Sequence, residues 1–348
     1  MRHLLSTLYG MVVARRNRGF DAGKGVHHAA LPVVSVGNVS MGGTGKSPFV
    51  ILLARLLRDL GHTPAVVSRG YGRRSRGVVV VADHDRILTD AATAGDELLM
   101  IARALPGTVT VAAEHRLLGC TRVERLYPAV DVIILDDGFQ HRHLGRDADI
   151  VLVDRPTLDH PRVMPAGVLR EPLTSLRRAS LVVCTPGVDD EEVRGYSTAP
   201  LIHVHTEVEA WVRHGVSHDE TPVPPPGRVV LLTAIAHASR VVRTCAEYDV
   251  AVAHHAEYRD HHAFSDTDID EVIAECRRTQ CTTVLTTEKD LTKLLGLLGR
   301  FHVAALEVVV LRIRTVCHEP DLLRSFLVST MEKGKKRADA KSADESSA

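Results

Sequence analysis

Short apolar runs alternate along the chain with segments whose apolar residues recur every three or four positions. The short runs predict buried strands, and the segments with helical spacing predict helices. In the first 200 residues we predict strands at 31–36, 63–68, 77–82, 108–112, 130–135, 148–153 and 180–184. We predict helices at 46–60, 95–105 and 114–127. This alternation indicates an α/β fold with a mostly parallel sheet flanked by helices.

A second alternating region follows a proline-rich connector at 222–227. Its predicted strands are 228–233, 250–255 and 282–286, and its predicted helices are 238–247, 266–278 and 288–297. We therefore predict a core domain over 25–200 and a second, smaller α/β domain over 201–330. Residues 331–348 are charged and rich in Ser and Ala, which predicts a disordered tail.

The first 24 residues form a separate predicted unit. Apolar residues recur there with helical spacing, and basic residues surround them: Leu4, Leu5, Leu8, Met11 and Val12, with Arg15, Arg16 and Arg18 following. Two interpretations stay open. The segment is either a helix packed on the core domain or an amphipathic helix that lies on an anionic membrane surface. No stretch reaches the roughly 18 apolar residues that a membrane span requires.

Composition narrows the class of protein. The 348 residues carry a formal net charge of zero, so no global basic field favours nucleic-acid binding. Aromatic residues make up only 4% of the chain, so Val, Leu, Ala and Ile dominate the core, as in parallel sheets. The six cysteines form no Cys-x-x-Cys pair, which indicates neither a zinc site nor a disulfide framework and favours a reducing compartment.

A glycine-rich loop between the first strand and the first core helix carries the strongest chemical signal. Residues 37–47 read GNVSMGGTGKS and end in Gly-Lys-Ser at the predicted helix start. This layout predicts a P-loop, in which backbone N–H groups and the helix N-terminus face phosphates. Lys46 would contact the β and γ phosphates, and Ser47 would contact Mg²⁺. The predicted nucleotide-binding residues are Met41, Gly42, Gly43, Thr44, Gly45, Lys46 and Ser47.

Two carboxylates follow the strand at 130–135. Asp136 and Asp137 precede a glycine, so an ordinary strand followed by an Asp-Gly turn is one interpretation. Beside a P-loop, a carboxylate at the carboxyl end of a parallel strand can hold Mg²⁺ directly or through water. We therefore predict Ser47, Asp136 and Asp137 as the metal site, with the choice between the two carboxylates left open.

Other polar segments follow predicted strands or open predicted helices. Arg69 and Tyr71 offer a phosphate contact and a stacking face, although Arg73 to Arg76 also fit a solvated basic hairpin tip. Arg170, in a loop near the P-loop, suits stabilisation of transferring phosphate. Asp96 in Gly95-Asp96-Glu97 could be a plain helix cap, and Thr286 to Asp290 could be plain helix initiation.

Taken together and in this order, these segments resemble the tetraacyldisaccharide 4′-kinases of Gram-negative bacteria. The resemblance covers about residues 1–315 and makes the serine at position 40, unusual for a P-loop, a family trait. It rests on Ser35 to Asn38 with Gly42 to Ser47, Ser68 to Gly72, Gly95 to Glu97, Asp136 to His141, Pro165 to Gly167 with Leu169 to Pro172, Asp260 to His262, and Thr286 to Asp290.

The resemblance implies ATP and Mg²⁺ as cofactors and a P-loop NTPase-like core. It implies transfer of the γ-phosphoryl group to the 4′-hydroxyl of a tetraacylated glucosamine disaccharide 1-phosphate, the lipid A precursor. It also implies a peripheral protein at the cytoplasmic face of the inner membrane, which favours the interfacial interpretation of the N-terminal helix. It implies neither a nucleic-acid ligand nor an obligate protein partner. The implied catalytic pair is Asp96 with His261, oriented by Asp260.

The remaining site predictions concern catalysis and contacts with the substrate. Lys46 and Arg170 join Asp96 and His261 as catalytic residues, and the predicted substrate contacts are Asn38, Arg69, Tyr71 and Gln140. Two alternatives remain. A P-loop NTPase could use hydrolysis to switch a protein partner, and a peripheral nucleotide-binding protein could lack turnover altogether.

Overall fold

The computed structural model describes residues 2–215 and 220–346. Within these ranges the chain forms thirteen strands in one sheet and twelve α-helices. The strands are β1 Val33–Asn38, β2 Pro64–Ser68, β3 Val79–Ala82, β4 Val109–Ala112, β5 Val132–Asp136, β6 Ala148–Val153, β7 Leu181–Cys184, β8 Leu201–His214, β9 Glu220–Val223, β10 Arg228–Thr233, β11 Ala251–Glu257, β12 Thr283–Thr287 and β13 Glu307–Cys317. The helices are α1 Arg2–Asp21, α2 Lys46–Asp59, α3 Ala91–Ala94, α4 Asp96–Ala104, α5 Arg116–Leu126, α6 Arg155–Asp159, α7 Asp190–Arg194, α8 Ala238–Glu247, α9 Asp266–Thr279, α10 Glu288–Leu294, α11 Leu298–Val303 and α12 Pro320–Ser346.

The strands follow the order β11-β10-β12-β13-β8-β7-β6-β1-β5-β2-β4-β3, and β9 pairs with β8. Neighbouring strands are parallel except at β3–β4, β8–β13 and β8–β9. The predicted α/β class with a mostly parallel sheet flanked by helices is therefore confirmed. The strands of the first half read as continuous apolar runs because helices cover both of their faces.

The long antiparallel ribbon of β8 and β13 was absent from the predicted elements. β8 begins beside β7, where Leu201 pairs with Val182, and then runs along β13 from Val204 to His214. The middle of this ribbon, residues 205–210 of β8 and 312–317 of β13, is only partly buried, whereas residues 308–311 of β13 form a continuous buried apolar run. The domain boundary predicted at residue 201 thus falls at the start of a strand that pairs with both halves of the sheet.

Helix α12 corrects two expectations. Residues 320–330, assigned to the second domain, pack on the first one, because Leu323, Leu327 and Met331 lie in the same buried cluster as Val34. The tail predicted to be disordered from residue 331 continues this helix. Its Arg337 Nε lies 2.8 Å from Asp147 Oδ1, which ties this part of the helix to the first domain. Met1 and residues 347–348, which fall in the predicted membrane helix and tail, lie outside the described residues.

Helix α1 packs on the first domain with a face of small, polar and a few apolar side chains. Ser6, Val13, Asn17 and Phe20 are buried in this contact. The apolar residues of its other face point away from the protein: Leu4, Leu5, Leu8, Met11 and Val12 are all exposed, with Leu4 and Val12 at 66%. None of the helices in the described part of the chain combines the length and apolarity that crossing a bilayer demands.

Candidate active site

The carboxyl ends of the parallel strands open into a single cleft of about 1790 Å³ between the two halves of the protein. This is the edge at which open α/β sheets bind their ligands. Residues from both halves line it: Met41 to Ser47, Arg69, Tyr71, Asp136, Asp137, Gln140, Arg170, Asp260, His261 and Lys289. The structure therefore brings nearly all of the predicted site residues to one cavity, Asn38 and Asp96 lying just behind its wall.

The P-loop has the geometry of a phosphate cradle. Gly42 and Gly45 adopt φ values of 121° and 85°, which side chains rarely allow, and α2 begins directly after Gly45. The N-terminal N–H groups of α2 are thereby left free to face an anion. Lys46 Nζ donates to Asn38 Oδ1 at 3.2 Å and lies 3.5 Å from Asp137 Oδ1, so its ammonium group is held at the mouth of the loop.

Asn38 does not take the place predicted for it. The prediction of a substrate contact is wrong for this structure, because the side chain is fully buried. Its amide nitrogen donates to Thr44 Oγ1 at 3.1 Å and to Ser40 Oγ at 3.3 Å, and its oxygen accepts from Lys46. Asn38 therefore braces the loop from inside.

The two carboxylates at the end of β5 differ in how readily they ionise. Burial, with Glu97 and Asp137 nearby, raises the pKa of Asp136 to about 6. Burial also acts on Asp137, but Lys46 and Arg170 outweigh it and hold the pKa of that carboxyl below its ordinary value. Asp136 Oδ2 accepts from Ser68 Oγ at 2.9 Å, whereas its buried Oδ1 has no hydrogen-bond partner among the described residues. An unpaired carboxylate oxygen in such a setting suits a cation.

Arg170 completes the phosphate side of the cleft. Its Nη1 lies 2.7 Å from Asp137 Oδ2 and 3.4 Å from Gln140 Oε1. Gln140 in turn donates to the backbone oxygen of Asn38 at 2.7 Å. Gln140, predicted to contact the substrate, thus lies at the cleft wall between Arg170 and the P-loop, where it fixes the arginine relative to the loop.

Asp96 and His261 meet across the two halves of the protein. Asp96 is the first residue of α4, only 6% exposed, and His261 follows β11 with a φ of 62°. His261 Nδ1 lies 2.9 Å from Asp96 Oδ2 and 3.1 Å from Oδ1. His261 lines the cleft, so Asp96 stands behind it as seen from the cavity.

The pair is electrostatically coupled. Hydrogen bonding to Asp96, against the effect of burial, raises the pKa of His261 above its ordinary value. Burial opposes the charge on Asp96, but His261 and Lys289 outweigh it, and the pKa of this carboxyl is lowered. Because the groups interact strongly, their protons belong to the pair rather than to either residue.

Lys289 is a site residue that was not predicted, because Thr286 to Asp290 also fits plain helix initiation. Its Nζ lies 3.0 Å from Asp260 Oδ1, 3.1 Å from Glu97 Oε1 and 3.5 Å from His261 Nε2. Burial opposes its charge, yet the surrounding carboxylates outweigh this and raise the pKa of Lys289. The signal that could have found it is its position: it lies in the first turn of α10, which follows the carboxyl end of the parallel strand β12.

Tyr71 and Arg69 also line the cleft, and Tyr71 lies beside His261. The Tyr71 ring is exposed, and its centroid lies 5.0 Å from that of His261. Gly70, with a φ of 67°, has Ala94 O so close that a Cβ there would be 2.6 Å from it. The loop is therefore packed tightly against the start of α4, with Tyr71 presented towards the cavity.

Comparison with known proteins identifies the family that has this site. The family model described as tetraacyldisaccharide-1-P 4′-kinase matches residues 2–332. The chain belongs to the tetraacyldisaccharide 4′-kinase family. The resemblance drawn from the motifs, including the kinase activity of its members, is confirmed.

Individual members of the family are similar along most of their length. The tetraacyldisaccharide 4′-kinase of Geobacter metallireducens is 37% identical, with 88% of this chain and 92% of the relative covered. That of Bradyrhizobium diazoefficiens is 36% identical, with 96% and 93% covered. A crystal structure of LpxK from Aquifex aeolicus in complex with ATP superposes with a TM-score of 0.77 at 29% identity, covering 94% of this chain and 97% of that one.

The buried carboxylate of Asp136 predicts a trade between stability and function. The pKa of Asp136 is higher in the folded than in the unfolded state, so ionising this carboxyl destabilises the folded protein. This destabilisation is absent near pH 4 and fully present above about pH 6. We expect Asp136→Asn to raise the free energy of unfolding by about 3 kcal/mol at pH 8, since Asn can still accept from Ser68. The gain should disappear as the pH falls from 6 to 4 in urea denaturation series.

Asp85→Asn, which removes an exposed carboxylate outside the site, controls for the change in net charge. It should leave the free energy of unfolding nearly unchanged at both pH values. A loss of stability in Asp136→Asn at pH 8 would contradict the assignment of a costly buried charge.

Proposed function

We propose that the protein transfers the γ-phosphoryl group of ATP to the 4′-hydroxyl of tetraacyldisaccharide 1-phosphate, which forms lipid IVA. The observation that carries this proposal is one cleft in which a P-loop faces an Asp–His pair contributed by two halves of the sheet. A phosphate cradle alone fits any P-loop protein. A carboxylate–imidazole pair opposite the cradle fits a hydroxyl acceptor whose proton must be removed.

The phosphate side of the reaction falls to the P-loop and its neighbours. The N–H groups of residues 41–47 bind the phosphate chain, and Lys46 neutralises charge on its outer oxygens. Arg170 stabilises the negative charge that builds up on the transferred group. Mg²⁺, held by Ser47 and by Asp136 or Asp137, would supply further charge neutralisation when bound, and the unpaired Asp136 Oδ1 supports this choice.

The acceptor side falls to Asp96 and His261. As the 4′-oxygen bonds to phosphorus, the bond from phosphorus to ADP breaks and the hydroxyl proton passes to the Asp96–His261 pair. The pair can accept this proton only when His261 is neutral and Asp96 ionised. Because the pKa of His261 is raised, its imidazole becomes neutral at a higher pH than that of an ordinary histidine.

The substrate is expected to enter from the side of Arg69 and Tyr71, whose guanidinium group and ring suit a sugar phosphate. Exposed apolar residues of α1 suit the membrane in which such a lipid resides. We therefore assign the protein to the cytoplasmic surface of the inner membrane, bound peripherally through α1. Arg15, Arg16 and Arg18, all exposed, favour an anionic surface.

A transfer assay tests the proposed reaction. With ATP labelled at the γ position and the tetraacylated disaccharide 1-phosphate in detergent, we expect label in the lipid and ATP consumption that depends on it. Lys46→Ala should abolish the transfer because the phosphate chain loses its cation. Hydrolysis that the lipid does not affect, with no labelled lipid, would instead favour a nucleotide-driven switch, and bound nucleotide without turnover would favour a binding protein.

The Asp–His pair predicts a pH-dependent rate. We expect kcat to rise with pH through an apparent pKa above about 6.5, as His261 loses its proton. Asp96→Asn should lower kcat by about a hundredfold and move this limb to lower pH, because the charge that raises the pKa of His261 is gone. ATP affinity should survive, as measured by equilibrium binding.

Asp90→Asn is the matched control for this variant. Asp90 caps α3, five residues before Gly95, and Asn caps a helix about as well as Asp. Its kcat and pH profile should match those of the unaltered protein. An unchanged kcat in Asp96→Asn would refute the role of the pair.

The outer face of α1 predicts reversible membrane binding. Leu5→Ser/Leu8→Ser should weaken binding to phosphatidylethanolamine–phosphatidylglycerol vesicles by more than about tenfold, because each buried leucine contributes roughly 1.5 kcal/mol or more. Co-sedimentation measures the bound fraction. Leu118→Ser, at an exposed leucine of α5, is the matched control and should bind like the unaltered protein. Equal binding by all three proteins would exclude α1 as the membrane contact.

A further inference from the structure

The inner face of α1 makes three hydrogen bonds to a single segment, residues 162–171. Ser6 Oγ accepts from the Ala166 N–H at 2.9 Å. Tyr9 Oη donates to the backbone oxygen of Arg170 at 3.0 Å. Asn17 Nδ2 donates to Glu171 Oε2 at 2.8 Å. The helix with the exposed apolar face is therefore bonded directly to the segment that carries Arg170.

The other side of the 162–171 segment pairs with the approach to the P-loop. The Met41 N–H donates to the Val168 oxygen at 2.8 Å, and the Arg170 N–H donates to the Val39 oxygen at 2.7 Å. Ser40 and Leu169 form an antiparallel bridge between these two bonds. The segment is thus a single layer between α1 and the loop that binds phosphate.

Two of the hydrogen bonds from α1 reach Arg170 itself and the residue directly after it. Tyr9 holds the carbonyl of Arg170 itself. Asn17 holds Glu171, whose fully buried carboxylate also accepts from Arg178 at 2.9 Å. A long arginine side chain has many rotamers, so its aim at Asp137 depends on a fixed backbone on either side. Displacements of about 1 Å in such groups cost large factors in rate.

We propose that Tyr9 and Asn17 are positioning residues for Arg170, through which the docking of α1 sets the phosphoryl-transfer site. This inference rests on the function proposed above, in which Arg170 stabilises the transferring phosphate. The two faces of α1 then have separate tasks. The outer apolar face meets the lipid surface, and the inner polar face aligns the arginine.

A double-mutant cycle between Tyr9 and Arg170 tests the inference. Tyr9→Phe removes one hydroxyl and keeps the ring, so we expect a folded protein with kcat reduced about fivefold and the KM for ATP little changed. In the Arg170→Ala background the same change should have no further effect, since the group through which it acts is absent. Asn17→Ala should show the same pattern by its independent contact with Glu171.

Tyr196→Phe is the matched control, because Tyr196 lies after α7 and does not line the cleft. It should leave kcat unchanged in both backgrounds. Hydrogen–deuterium exchange gives a readout without turnover: Tyr9→Phe should speed exchange within 162–171 and leave 283–290 unchanged. A structural role of Tyr9 alone would instead loosen α1 without coupling to Arg170.

The outcomes separate this inference from the proposed function. If Arg170→Ala transfers phosphate at the normal rate, the assigned role of Arg170 fails, and the positioning role fails with it. If Arg170→Ala is impaired but Tyr9→Phe lowers kcat equally in both backgrounds, or in neither, only the positioning role is overturned.

Discussion

The hydrogen-bonded pairing of β8 with β13 is the contact on which the arrangement of the site depends. Each half of the protein is a parallel sheet with its own core, and parallel sheets alone would leave the two halves joined only by loops. The antiparallel ribbon continues both into one sheet, so that the carboxyl ends of β5 and β12 open into the same cleft. Asp96 and His261, 165 residues apart, meet because of that ribbon.

The balance of charged groups differs between the acceptor side and the phosphate side of the cleft. On the acceptor side Lys289 is one cation among three carboxylates, Glu97, Asp260 and Asp96, so this side keeps an excess of negative charge. On the phosphate side Lys46 and Arg170 both lie against Asp137, which leaves Asp136 to bear its charge without a cation of its own. A buried carboxylate without a cation, such as Asp136, is typical of a site that binds a charged ligand.

Much of the site follows from local sequence rules. The run Gly42 to Ser47 marks a phosphate cradle wherever it lies between a strand and a helix, and Asp136 stands where a strand must end. Burial does not follow from such rules, and Asn38, placed by its motif near the substrate, turned inward because Lys46 and Thr44 offered it partners. The packed side of α1 escaped prediction as well: spacing shows a stripe of leucines but not which stripe the protein covers. Lys289 escaped because helix initiation explains its neighbours equally well.

The return of α12 to the first half of the protein has a consequence for how the chain folds during synthesis. Leu323, Leu327 and Met331 fill a core whose other members, such as Val34 and Leu53, are made some 270 or more residues earlier. That core stays incomplete while the ribosome produces all of the second half, since domains fold in the order in which their segments emerge. The nucleotide-binding half therefore begins to fold first and is completed last. Its apolar sheet face stays uncovered, and open to chaperones, until translation ends.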